Sequence, residues 1–263
     1  MTTVFFLFLL HSALGLLATL PLVPARAGSR FFKLSAAAAA FMTTCALWLG
    51  VRRFGLAASE TTPGGADYPK VLALTAALLF LTVLYNRAWH FGSLRLARAF
   101  LWAALVAGLG ASLLAASGAL GTAAALTSAL LVGSAASAMI LGHYYLVVLD
   151  LPITALRRLT VLLIVALGLR MVVVAVALMG PVHAGYEEAR LVASGLWSPD
   201  GVFVWMRLLF GIAGPLSLVW FIWKTVEIRS TQSATGILYV QLFLVLSGEL
   251  LATYLGVAAG FPL

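Results

Sequence analysis

The sequence predicts an all-α integral membrane protein, a bundle of eight transmembrane helices. Hydrophobic residues fill 63% of the 263 positions and charged residues only 9%, against about 25% charged in an ordinary soluble domain. Mean hydropathy is +1.10, so a folded chain lacks the polar side chains to cover a water-facing surface. Hydropathy also divides the chain into eight apolar stretches, each close to the ~20 residues that cross a bilayer as a helix.

The first stretch, 2–24, precedes Ala25-Arg26-Ala27 and Gly28, a small-residue pattern of the kind signal peptidase cleaves. Cleavage there leaves seven helices. Two features oppose it: no Lys or Arg occurs among the first residues, and Arg30 and Lys33 lie on the side that basic-residue counting assigns to the cytoplasm. The second stretch, 34–51, holds the single cysteine, Cys45, so neither a disulfide framework nor a CxxC metal site is available. The third, 69–89, ends on Trp89 and His90. The fourth and fifth, 99–120 and 123–149, carry small residues at four-residue spacing: Ala104, Gly108 and Ser112, then Ala129, Gly133 and Ser137. Small side chains let helix backbones approach closely in lipid, so these two are expected to pack as an antiparallel hairpin through Gly121-Thr122.

The sixth stretch, 159–179, contains Arg170. The seventh, 201–223, contains Arg207 and the run Gly211-Ile212-Ala213-Gly214-Pro215, where proline removes a backbone donor and predicts a kink. The eighth, 235–257, contains Gln241 and Glu249. The longest connections, 52–68 and 180–200, occupy matching places in the first and second sets of four helices, as though two four-helix halves were fused. Before the eighth helix, Ser and Thr between Lys224 and Gly236 suit helix capping, and Lys224 and Arg229 suit a phosphate or lipid headgroup.

The net charge of +8 would suggest nucleic acid in a soluble protein, but here it marks topology. Ten Lys and Arg residues fall in the odd-numbered connections and four in the even-numbered ones. The positive-inside rule then places the odd connections in the cytoplasm and both termini on the non-cytoplasmic side of a bacterial-type inner membrane.

Two constellations offer chemistry. Arg170, Arg207 and Glu249 lie roughly 14, 9 and 12 Å from the outer ends of their helices, at 1.5 Å per residue, and so meet in the outer half of the bilayer. A charge there costs at least ~2.5–3.5 kcal/mol and requires a partner. One carboxylate neutralises one arginine, which leaves a positive charge over and points to a polar cavity rather than a purely structural clamp. Nearer the cytoplasmic face, His143, Tyr144, Tyr145 and Asp150, with Gln241 at a similar depth, offer donors, acceptors and protons suited to a quinone headgroup. Trp89 and His90 end helix 3 at the same face, although Tyr and Trp also form the ordinary interfacial belt. Bis-histidine haem is the weaker cofactor reading: His11 is deep in the outer half, His183 falls in an outer connection, and only His90 and His143 share a face. No Walker A, GxSxG, HExxH or GxGxxG motif occurs in suitable context.

These residues point first to a membrane subunit of a redox complex that binds quinone and conducts protons. In that reading partner subunits, membrane-embedded or peripheral, supply the redox centres, and the chain is at most a quinone-reactive subunit of an oxidoreductase. Eight-helix quinone-binding anchors of the polysulfide-reductase type have a similar architecture, a likeness of helix number and not of motif. The alternative is a transporter or channel for a small anion, with Arg170 and Arg207 on the substrate and Glu249 carrying a coupling proton. A third reading is an assembly or scaffold protein without a ligand.

Overall fold

The protein is described here from a computed structural model covering residues 1–55, 67–148, 151–184 and 201–258. Among the described residues it is all-helical, with eight helices long and apolar enough to cross a membrane. They are α1 (Thr2–Thr19, continued by a 3-10 turn Leu20–Leu22), α2 (Ser29–Phe54), α3 (Tyr68–His90) and α4 (Leu94–Ala115), followed by α5 (Gly118–Val147), α6 (Thr154–Ala184), α7 (Gly201–Glu227) and α8 (Thr231–Ala258).

Several helices outrun their apolar stretches. α2, α4 and α6 each begin five residues early and take in Arg30, Lys33, Arg95, Arg98, Arg157 and Arg158. Basic residues end a run of hydropathy but not a ladder of backbone hydrogen bonds, and at the interface their head groups reach water while the helix continues. α8 likewise begins at Thr231, so Thr235 and Gly236 are helical rather than part of a capping loop; Thr235 Oγ1 donates to the Thr231 carbonyl at 2.7 Å. Lys224 pairs with Glu227 at 3.0 Å. α6 runs on through Ala184, which places His183 in a helix and not in a connection.

The turn between α4 and α5 falls five residues before the expected Gly121-Thr122. Ala116 and Ser117 are extended and Gly118 has φ +69°, a conformation that favours glycine, whereas Thr122 is already inside α5. The two helices do not form the expected close pair either. α4 lies along α3 and only brushes α5. Both small-residue stripes turn instead toward α1. A Cβ on Gly133 or Gly15 would run into the backbone of the facing helix, and Thr19 bonds Ser137 hydroxyl to hydroxyl across the same seam. A Cβ on Gly108 would meet Leu14 of α1 and Leu78 of α3. α1 and α5 are accordingly the most enclosed helices, with 67% and 72% of their spans buried.

Neighbour relations repeat. In the first half α1, α2, α3 and α4 close a ring, each touching the next and α4 returning to α1; α5, α6, α7 and α8 close a second ring in the same order. The rings join mainly through α1 and α5, the first helix of each.

α7 changes pitch at the expected position. Leu209–Ala213 form a π-helical turn in which Gly214 N–H donates to the Leu209 carbonyl, and Pro215 follows directly. A helix deprived of the proline N–H finds its bonds one residue further back, which is the usual accommodation of such a site.

Candidate functional site

The second ring is polar at its centre. Arg170 of α6, Arg207 of α7 and Glu249 of α8 converge there, 2%, 0% and 0% exposed. Arg170 Nε donates to Glu249 Oε1 at 3.1 Å, and its Nη2 lies 2.9 Å from Oε2. Its Nη1 donates to the Ala124 carbonyl at 3.0 Å and to Thr127 Oγ1 at 3.3 Å, both on α5. Arg207 Nη2 donates to the same Glu249 Oε1 at 2.9 Å. Nε and Nη1 of Arg207 are buried without a partner.

Glycines make room for this arrangement. Nη1 of Arg207 occupies the position a Cβ on Gly211 would fill, and a Cβ on Gly248 would strike Gly211. The π turn therefore sits beside the second guanidinium, at the crossing of α7 and α8. Among the described residues two cations face one carboxylate in a region of low dielectric, where an uncompensated charge is most costly.

A cavity of about 520 Å³ leads to this cluster, within the ~300–1,000 Å³ range of small-ligand pockets. It runs from helix ends near Thr3, Arg53 and Tyr68 inward to His11, Ser112, Ser128 and Arg170, with Thr253 on the α8 wall. No Asp or Glu is among its described lining residues. Nε2 of His11 and the hydroxyl of Ser112 are buried and have no hydrogen-bond partner. The cavity lies where the two rings meet, so helices of both contribute to its walls.

Sequence reasoning did not connect His11, Ser112 and Ser128 with the arginines. The signal was present in part: His11 lies nine residues inside α1, roughly 14 Å deep, the depth expected of Arg170.

The residues grouped for quinone are not brought to one point. Tyr144 sets its ring edge-on against Phe31 of α2, with centroids 5.6 Å apart. Tyr145 turns toward the start of α6 and donates from its hydroxyl to the Pro152 carbonyl at 2.6 Å. His143 is exposed, its Nδ1 3.4 Å from the Tyr239 hydroxyl of α8. Successive residues of a helix are rotated by about 100°, and these three accordingly address three different neighbours. Trp89 stacks on Phe32 at 4.3 Å, and His90 is exposed at the end of α3. Gln241 is fully buried, with neither amide atom partnered. Asp150 lies outside the described residues.

Along α8, Thr235, Gln241 and Glu249 are all buried, and Thr253 reaches the cavity. Gln241 lies eight residues, or ~12 Å, from Glu249 toward the other end of the bundle. Compared with known protein families, curated proteins and solved structures, this eight-helix chain finds no match.

Proposed function

We propose that the chain is a membrane carrier or channel for a small anion, and that the anion enters through the cavity between the two rings. The observation that carries this reading is the geometry of the buried cluster: among the described residues two guanidiniums share one carboxylate at the inner end of a cavity whose described lining has no acid. Low-dielectric walls focus the surplus positive field into the cavity. In the empty protein Glu249 serves as internal counter-ion. An arriving anion competes for Arg170, and Glu249 then satisfies itself on the unpartnered Nε and Nη1 of Arg207. His11 and Ser112 supply free polar atoms on the wall of the cavity, and the buried amide of Gln241 offers the next station toward the far end.

The ten basic residues at the far end orient the chain by the positive-inside rule. In this proposal both termini and the cavity face the non-cytoplasmic side of the inner membrane. In a Cys45→Ser background, a cysteine at Thr3 should react with an impermeant maleimide on intact cells and one at Arg95 should not; the reverse pattern refutes the orientation.

The direct test is anion flux into proteoliposomes, screened over halides, small oxyanions and carboxylates. Arg170→Gln or Arg207→Gln is expected to lower flux roughly tenfold or more, the effect of losing a charge-assisted contact. Flux at wild-type level in both variants, or no flux of any of these anions, counts decisively against the reading.

A quinone-reactive subunit is the second reading, and the His143–Tyr239 pair is what favours it. Photolabelling with an azidoquinone, lost in His143→Ala, would support it; labelling indifferent to that change would dismiss it.

A further inference from the structure

A second cavity, of about 540 Å³, lies on the outside of the bundle at the opposite end, between the first turns of α6 and the 3-10 turn that ends α1. Its polar head consists of Thr154, Arg157 and Arg158. Below them come Val161 and Val165, one and two turns deeper, roughly 6 and 12 Å from Arg157 along the axis. Leu22 forms the facing wall. No acid lines the groove, and neither arginine has an ion-pair partner among the described residues. Arg157 is set by stacking over the Trp223 ring of α7, 5.2 Å from its centroid. That contact fixes a guanidinium at the level where tryptophans sit in membranes.

From these features we infer that the groove is a site for an anionic glycerophospholipid. Its phosphate sits against Arg157, Arg158 and Thr154, and one acyl chain lies along Leu22, Val161 and Val165. The order of groups along the groove, cationic at the interface and aliphatic below, is the order of groups in the lipid. Charge complementarity selects the occupant: a zwitterionic headgroup brings a cation of its own to two arginines that have no counter-ion among the described residues, whereas an anionic one supplies a charge to match them. A soluble phosphate satisfies the head of the groove and leaves its exposed aliphatic walls, Val161 at 43% and Val165 at 49%, uncovered. The site is independent of the cavity at the other end and of the transport reading.

Native mass spectrometry of the full chain, released from mixed micelles of phosphatidylglycerol and phosphatidylcholine, tests the proposal. The expected result is preferential retention of phosphatidylglycerol, falling about fivefold for each arginine removed in R157Q and R158Q, the scale of one basic residue at a membrane surface. Val161→Trp, which fills the aliphatic part and leaves both charges, should lower retention of the intact lipid without lowering retention of inorganic phosphate. R95Q, at the same end but outside the groove, should leave the preference unchanged and serves as the folding and charge control. Equal retention of the two lipids by the wild type overturns the proposal. So does a preference that survives R157Q/R158Q, and so does complete displacement of the lipid by inorganic phosphate, which would identify a phosphate site without an acyl groove.

Discussion

The two rings of four helices share one order of neighbours and differ in what fills them. In the first ring several of the buried polar groups are small hydroxyls that turn back on their own helices. Thr43, Thr75 and Thr82 each donate to the carbonyl four residues earlier at 2.7 Å, and Ser12 does the same. The first ring is further closed by aromatic contacts, Phe54 stacked on Tyr68 at 3.6 Å and Phe32 on Trp89 at 4.3 Å. In the second ring the charged groups reach across the interior, from α6 and α7 to Glu249 of α8 and from α6 to the Ala124 carbonyl of α5. A hydroxyl satisfied within its own helix adds little between helices, whereas a charge shared by three helices makes each depend on the others. The first ring is thus a scaffold that supplies one wall of the cavity, and the second holds the charge the cavity leads to.

The largest expected effect breaks this contrast at its centre. Glu249→Leu removes the carboxylate that both buried guanidiniums share and should destabilise the protein by about 3–5 kcal/mol, read from reversible unfolding in mixed micelles. If it costs no more than a first-ring threonine change, the cluster is not the organising element of the second ring. Next in size are the glycine contacts. Gly211→Ala places a methyl group on Arg207 Nη1 and Gly133→Ala drives α5 off α1; each should cost about 1–3 kcal/mol by overpacking. Gly211→Ala should impair anion flux more than Gly133→Ala does, because of the two only Gly211 touches a guanidinium of the cluster. Smaller again is Thr75→Val in the first ring, where the lost bond is local to α3; a change within about 1 kcal/mol is expected.

The smallest effect lies outside the rings, at the start of α3. Asp67 accepts from the Lys70 backbone N–H at 3.3 Å, and the Lys70 ammonium stands 2.6 Å away. The side-chain bond from Lys70 is the main cause that holds the carboxyl below its usual 3.8. A depressed folded value means that the contribution is present above pH 3.8 and is lost as pH falls through the lower, folded value. The melting temperature of the wild type should therefore fall more than that of Asp67→Asn as pH drops below that point, and identical pH profiles would exclude a contribution from the cap.

The spans were legible because hydropathy is additive along a helix. The Arg170–Glu249–Arg207 cluster was legible because depth can be counted from a helix end. Azimuth was harder. The stripes Ala104-Gly108-Ser112 and Ala129-Gly133-Ser137 correctly announce close approach, yet small residues do not say to which helix, and both face α1. The dispersal of His143, Tyr144 and Tyr145 was available from the rotation between consecutive helical residues alone. Along the chain only a shared depth joins His11 to Arg170, since the cavity they line with Ser128 is made by the meeting of two rings.

The seam between α1 and α5 has a consequence for biogenesis. Thr19 and Ser137, which close it, are separated by 118 residues. At translation rates of about 5–20 residues per second, α1 leaves the ribosome roughly 6–24 s before the partner that covers its Gly15 face. During that interval a helix shaped for close backbone contact has only lipid, or the insertion machinery, against it. The second ring must therefore assemble onto a first ring whose central seam is still open.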